Sequence, residues 1–218
     1  MDDPARIAAA GYDQVADRYA ALEDEGASWP RSRRVAAFAR LLPPRASALD
    51  LGCGNGVPVA RDLVAAGFAV TGVDVSAEQV RRAREAVPGA TFLVADLRSL
   101  GLPAAELDAV VSIYALDHVP REDHADVYER IRRWLRPGGL VLLAIEDADV
   151  PGVGGRGWLG APSYFSSYEA VEERQLVEKA GLEVLEAEVE AQVEQGVEVL
   201  YLWLVARRRG EAEYDQSE

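Results

Sequence analysis

A short apolar run, residues 46–51, stops at Gly52-Cys53-Gly54-Asn55-Gly56 and passes at once into residues 57–66, whose apolar positions recur at helical spacing up to Gly67. Strand, tight turn and helix in that order leave few folds open, because the helix must carry the chain back over the sheet before the next parallel strand. The pattern repeats. Residues 68–73 form a second apolar run closed by Asp74, Ser76 is placed to cap a charged helix reaching about residue 87, and Pro88-Gly89 breaks it. Residues 90–95 followed by Asp96, then 107–113 and 140–145, read as three further buried strands, and a helix over about 121–135 is stopped by Arg136-Pro137-Gly138-Gly139. The last two strands, 182–191 and 197–206, meet at Gln195-Gly196 and should pair antiparallel at the sheet edge.

The expected fold is therefore α/β: a doubly wound, mostly parallel seven-stranded sheet with an antiparallel C-terminal hairpin and helices on both faces. Helical patterns over 4–22 and 29–42 precede it, so residues 1–44 are expected to form a helical cap or lid on a core of residues 45–209. Within that core, residues 146–167 are rich in glycine and proline with little periodicity and read as a long irregular loop, followed by a helix over about 168–180. Residues 210–218 form an acidic tail. Ligands of such a sheet bind at the carboxyl ends of its strands.

Composition removes several chemistries. Cys53 is the single cysteine, so neither an internal disulfide nor a thiolate zinc cluster is expected, and with His118 and His124 as the only histidines no metal is expected at all. Lys179 is the one lysine among 23 basic residues, which leaves little for Schiff-base chemistry or a phosphate-loop lysine. The formal net charge of -14 repels a polyanion, so a nucleic-acid partner is not expected. No apolar run approaches the length of a membrane span and Met1-Asp2-Asp3 does not open a signal peptide; the expectation is a cytoplasmic protein without a membrane partner, with a homodimer left open.

A glycine-rich turn between strand and helix brings backbone amides close to a ligand, and an acid at the end of the next strand accepts the hydroxyls of a ribose. Asp74 lies about 18 residues beyond Gly56, the distance this pairing requires, so the two features together point to a nucleoside-bearing ligand. The dinucleotide pattern G-x-G-x-x-G fits poorly: the third glycine arrives one position early and Asp50 stands just before the loop. At Asp50, Gly52, Gly54 and Gly56 the chain resembles the class I S-adenosylmethionine-dependent methyltransferases, whose signature is E/D-x-G-x-G-x-G. The resemblance extends through Asp74, Val94-Ala95-Asp96-Leu97, residues 108–112, Leu135-Arg136-Pro137-Gly138-Gly139 and the closing hairpin.

The resemblance implies S-adenosylmethionine as cofactor. Gly52 and Gly54, with their neighbours Asp50, Cys53 and Asn55, would hold its methionine part, Asp74 with Val75 its ribose, and Asp96 with Leu97 its adenine, while Ile113 and Tyr114 would border it from the fourth strand. Cys53 reads as a small loop filler rather than a nucleophile, and the reading that competes with adenine contact at Asp96, a helix cap or surface turn, is the weaker one at that position. Tyr12-Asp13-x-Val15-Ala16-x-x-Tyr19 resembles the Y-D-x-x-A-x-x-Y segment of small-molecule methyltransferases; spacing of seven puts both tyrosines on one helix face, and the resemblance implies Tyr19 over the cofactor and Tyr12 toward the acceptor, the competing reading being an amphipathic helix packed on the sheet edge.

A sulfonium is already an activated methyl donor, so transfer depends mainly on holding the acceptor close and in line, with a base needed only for acceptors that must lose a proton. His118, following the fourth strand, is the candidate base, with Asp117 beside it as the candidate orienting carboxylate; the competing reading is a histidine bonded to backbone. His124 falls in the following helix and is expected to be exposed. Trp158, Tyr164 and Phe165 are candidates to stack on an apolar acceptor and Glu146 to contact a polar one, although loop aromatics also serve to pin a loop to the core. The expected activity is methyl transfer to an oxygen, nitrogen or sulfur of a small molecule. The fourth strand does not run into Asn/Asp-Pro-Pro-Tyr/Phe, which argues against methylation of DNA bases or protein glutamine. Two readings remain beside it: an NAD-dependent oxidoreductase on a related sheet, and a methyltransferase-like protein that keeps the cofactor structurally while acting as a cyclase or binding subunit.

Overall fold

The computed structural model describes residues 3–22, 29–156, 158–194 and 196–210. Helices α1 (Pro4–Leu22) and α2 (Trp29–Ala39) precede β1 (Ser47–Leu51), after which come α3 (Val59–Ala65), β2 (Ala69–Asp74), α4 (Ala77–Ala86), β3 (Thr91–Val94), β4 (Leu107–Ile113), α5 (His124–Trp134) and β5 (Leu135–Glu146). The chain closes with β6 (Val150–Arg156), β7 (Pro162–Ser167), α6 (Ala170–Lys179), β8 (Leu182–Glu194) and β9 (Val197–Arg208). Seven strands form one sheet in the order β3-β2-β1-β4-β5-β9-β8, with β6 and β7 apart as a two-stranded sheet. The strands β1 to β5 run parallel, whereas β9 is antiparallel to β5 and to β8.

Burial on both faces explains why the parallel strands read as unbroken apolar runs rather than alternating ones. Along β5, Val141, Leu143 and Ile145 pack with Val127, Tyr128, Ile131 and Trp134 of α5 and Val177 of α6, while Leu140, Leu142 and Ala144 join the opposite core with Val35 and Phe38 of α2, Leu63 of α3 and Val80 and Ala83 of α4. Strand β1 pairs with β2 on one side and β4 on the other, so the strand order reverses there and a crevice opens at the carboxyl ends. As expected from sequence, Ser76 caps α4, its hydroxyl accepting from the Gln79 amide at 3.0 Å.

Three expectations require correction. Residues 146–167 are not an irregular loop: β6 and β7 form an antiparallel hairpin whose register slips between Val150 and Val153. The glycines and Pro151 that hide the period-two pattern in sequence sit at that slip and in β6, and β7 finds its partner in α1 rather than in an alternating apolar face. Gly11 makes the docking close, since a Cβ there would stand 2.1 Å from the Pro162 carbonyl oxygen. Second, β5 begins at Leu135 directly after α5; Leu107 pairs with Leu135 and Ala109 with Leu140, so Arg136-Pro137-Gly138-Gly139 is an irregularity inside a strand rather than a linker before it. Third, His124 is fully buried. Its Nδ1 meets Glu173 Oε1 at 2.7 Å, its Nε2 donates to the carbonyls of Leu116 and Val119 at 3.1 and 3.2 Å, and the Tyr128 hydroxyl donates to Glu173 Oε2 at 2.6 Å. Burial alone would depress the His124 pKa, but the Glu173 contact outweighs it and raises it. The Gln195 half of the hairpin turn, the Trp158 side chain and the tail 211–218 lie outside the described residues.

Candidate active site

The glycine loop is tied to β2 before any ligand is considered. Gly52 and Cys53 both donate to the Val73 carbonyl, at 2.8 and 2.9 Å, and Gly54 donates to Asp74 Oδ2 at 2.9 Å. The other oxygen of Asp74 accepts from the Ser76 amide at 2.8 Å. Two amides thus hold the carboxylate against the loop, and each oxygen keeps a lone pair for a further donor. Burial pushes the Asp74 pKa up, with backbone hydrogen bonds from Ser76, Gly54 and Val75 working against it. Gly52, at φ +83°, has no room for a side chain: a Cβ would lie 2.1 Å from that of Ala115. At Gly54, φ +51°, a Cβ would instead meet the Tyr19 ring at 3.5 Å, so the loop is open on the side that Tyr19 faces.

A cavity of about 960 Å³ runs across the carboxyl ends of the strands, at the upper end of the roughly 300–1,000 Å³ common for ligand sites. Gly52, Gly54, Asp74, Val75, Asp96, Leu97, Ile113 and Tyr114 line it, as do Tyr12, Tyr19, Asp117, His118, Glu146 and Phe165. Four candidates do not. Asp50 (2% exposed), Cys53 and Asn55 are buried behind the loop, with the Asn55 side chain turned back to accept from the Val57 amide at 3.1 Å. Tyr164 contributes its carbonyl, not its ring, which lies toward Gly152. Asp50 Oδ2 has no hydrogen-bond partner among the described residues, and burial, followed by the Asp74 charge, lifts the carboxyl to about 7. Asp96 caps the turn, accepting from the Arg98 amide at 2.9 Å, and pairs with the Arg98 guanidinium at 2.7 Å at a position that lines the cavity.

The tyrosine motif of α1 divides its labour by helix face. Tyr12 and Tyr19 meet edge-on at 5.7 Å between ring centres, Val15 and Ala16 are buried, and Asp13 accepts from the Ser76 hydroxyl at 2.5 Å and the Glu78 amide at 3.2 Å, which fixes α1 over the start of α4. The Tyr19 hydroxyl accepts from Arg31 of α2 at 3.2 Å. Beneath Tyr12, His118 Nδ1 stands 2.9 Å from the Tyr164 carbonyl, which can only accept; Nδ1 therefore carries the proton, and Nε2 accepts from the Tyr12 hydroxyl at 2.8 Å. Burial lowers the His118 pKa and keeps the ring neutral. Asp117 does not orient this ring. Its Oδ1 accepts from the Glu146 amide at 2.9 Å, at 4% exposure, and burial raises its carboxyl to about 8.

Sequence reading missed the roof over the far end of the cavity. Gln192, Glu194, Val199 and Tyr201 of the β8–β9 hairpin line it, along with Glu190, which Arg33 and Arg34 of α2 bind at 2.8 and 2.6 Å. The Tyr114 hydroxyl meets the Gln192 amide at 2.7 Å and Tyr201 donates to Glu194 at 2.8 Å. Alternation in β8 sets 190, 192 and 194 on one face, the one signal sequence offered; that the hairpin outgrows the sheet and folds against α2 is a tertiary fact.

A family model described as a methyltransferase domain matches residues 48–139. The 27-O-demethylrifamycin SV methyltransferase of Amycolatopsis mediterranei is 35% identical over 61% of this chain and 56% of its own length. The 2-methyl-6-phytyl-1,4-hydroquinone methyltransferase of Synechocystis is 38% identical over 47% of this chain and 33% of its own. The chain thus spans about a third to just over half of these curated relatives. Among solved structures, an S-adenosylmethionine-dependent methyltransferase of Methanosarcina mazei shares the fold at TM-score 0.70 and 20% identity, covering 80% of this chain and 98% of that one.

Proposed function

We propose, from the premise that the chain belongs to the class I S-adenosylmethionine-dependent methyltransferases, that it moves a methyl group from S-adenosylmethionine to an oxygen, nitrogen or sulfur of a small molecule. The observation that carries this reading is the Asp74 carboxylate held to the Gly54 amide at the edge of the cavity, with acceptor capacity left over on both oxygens.

The residues present fit the cofactor. Asp74 would take the ribose hydroxyls, the Asp96–Leu97 corner the adenine, and the backbone at Gly52 and Gly54 the methionine chain, on the side of the loop that Tyr19 faces. Arg31, beside Tyr19, would face the cofactor's carboxylate. When bound, S-adenosylmethionine supplies a methyl group already activated on a sulfonium. What the chain itself must add is placement, exclusion of water and a home for any proton the acceptor sheds.

His118 and Tyr12 serve the last need. With Nδ1–H fixed on the Tyr164 carbonyl, Nε2 is the basic nitrogen, and it accepts from the Tyr12 hydroxyl, both side chains belonging to residues that line the cavity. A proton leaving the acceptor passes to the Tyr12 oxygen as Tyr12 passes its own to Nε2. Residues of α1 and of the β8–β9 hairpin line the cavity and narrow its access to water.

Calorimetric titration with S-adenosylhomocysteine tests the first half, with saturable one-to-one binding expected; NAD binding in its place would overturn the reading. For the second half, His118→Gln should lower kcat by about 10²–10⁴-fold for an acceptor that must lose a proton, the usual worth of a placed base, with cofactor affinity unchanged. An equal loss of both would show that His118 only braces the fold.

A further inference from the structure

The acceptor end of the cavity has a definite electrical character. Asp117 uses Oδ1 on the Glu146 amide, and among the described residues nothing bonds its Oδ2. Among the described residues the Glu146 carboxylate, at the end of β5, makes no hydrogen bond or ion pair, and Glu194 accepts from the Tyr201 hydroxyl at 2.8 Å. The three acids lie close enough that Glu146 raises the Asp117 pKa and Glu194 raises that of Glu146. Of the lining arginines, Arg98 is held by Asp96 and Asp3, while Arg31 donates to the Tyr19 hydroxyl and stands 5.9 Å from the centre of the Tyr114 ring, a cation already at the near edge of the acids. Beside the acids stand the rings of Tyr114 and Tyr201, 4.4 Å apart between centres.

Like carboxylates gathered in a cleft of low dielectric repel one another. One kind of ligand relieves that repulsion. A cation with several N–H groups donates to the free oxygens, lowers the mutual repulsion and rests on the negative faces of the aromatic rings. An anion or a neutral hydroxyl does not lower it.

Resting on the methyltransferase reading, we propose that the acceptor is an amine that arrives as an ammonium ion, held by Asp117 and Glu146 against Tyr114 and Tyr201. The ammonium gives one proton through the Tyr12 hydroxyl to His118 Nε2. Its freed lone pair forms the N–C bond as the C–S bond breaks with its electrons going to sulfur, and the product is a methylated ammonium, the proton on His118 passing to solvent. Burial lifts the Asp117 carboxyl to about 8, so the arriving ammonium drives off its proton; Asp117 and Glu146 then hold substrate and product alike, and the neutral His118 takes the proton the amine sheds.

Calorimetry on the full chain saturated with S-adenosylhomocysteine tests this without turnover, using phenethylamine, 2-phenylethanol and 3-phenylpropionate as matched cation, neutral and anion. Phenethylamine should bind at least tenfold tighter than either of the others. Glu146→Gln and Asp117→Asn should each cut that affinity about tenfold while S-adenosylhomocysteine affinity stays within twofold, with circular dichroism confirming that both variants fold. Equal or tighter binding of the alcohol or carboxylate, absence of binding by all three, or insensitivity of the amine to both variants overturns the proposal. Failure of S-adenosylhomocysteine itself to bind would instead remove the methyltransferase reading beneath it.

Discussion

Replacing Asp74 by Asn removes one charge and turns one acceptor atom into a donor at a point where two backbone amides converge. In the parent, Gly54 N–H reaches Oδ2 at 2.9 Å and Ser76 N–H reaches Oδ1 at 2.8 Å. Whichever way the new amide turns, its NH2 faces one of those N–H groups, so one charge-assisted bond is lost and a donor is left against a donor. A hydrogen bond to a charged group contributes about 1.5–3 kcal/mol, which sets the expected loss of folding stability. The same carboxylate is the acceptor proposed for the ribose hydroxyls, so S-adenosylhomocysteine binding should weaken by a similar about 1.5–3 kcal/mol, roughly 10–150-fold in Kd. Calorimetric titration of the nucleoside, run beside urea denaturation of the unliganded protein, reads the two losses separately. Reduced stability with affinity within about twofold of the parent would make Asp74 a brace of the loop and nothing more. No change in either would refute the reading of the loop itself.

Glu173→Ala leaves the buried His124 ring and Tyr128 hydroxyl without their shared partner, a loss of about 3–5 kcal/mol that urea denaturation should register, whereas Glu173→Gln, which keeps an acceptor, should cost less; equal effects from both would show that the cluster adds little. Asp117 gives a test in pH. Its carboxyl titrates at about 8 in the folded chain against an ordinary 3.8, so between those values the folded state keeps a proton that the unfolded state releases. Its contribution is full at the acid end and falls as pH rises toward 8. The stability of the parent relative to Asp117→Asn should therefore decline from pH 5.5 to 8.5 in denaturant titrations; a flat difference would mean that Asp117 is not desolvated.

Much of the molecule is written locally. Each strand–turn–helix unit declares itself within about twenty residues, because a buried parallel strand needs a continuous apolar run, a helix needs its cap, and the loop between them needs glycine where φ is positive, as at Gly52 and Gly54. Ser76 at the start of α4, Asp74 at the end of β2 and the closing hairpin follow from such rules, and the cavity is then obliged to open where the strand order reverses. The tyrosines of α1 were legible as one face of a helix, seven residues apart.

What that face touches was not legible. The partner of Tyr12 is His118, 106 residues on, and the atom that fixes the His118 tautomer is the carbonyl of Tyr164, in a hairpin whose glycines conceal it. Asp117 looked like the natural companion of its neighbour, yet successive residues in the tight turn Leu116–His118 point apart, and its carboxylate went to the Glu146 amide at the end of β5. His124 passed for a surface residue until α6 covered it with Glu173. Local order, then, was settled by short-range sterics and apolar spacing that any window of sequence displays. The partners of the ionisable groups were settled by which distant segments pack against them, since charge, hydrogen bonding and desolvation act through space and take no account of distance along the chain.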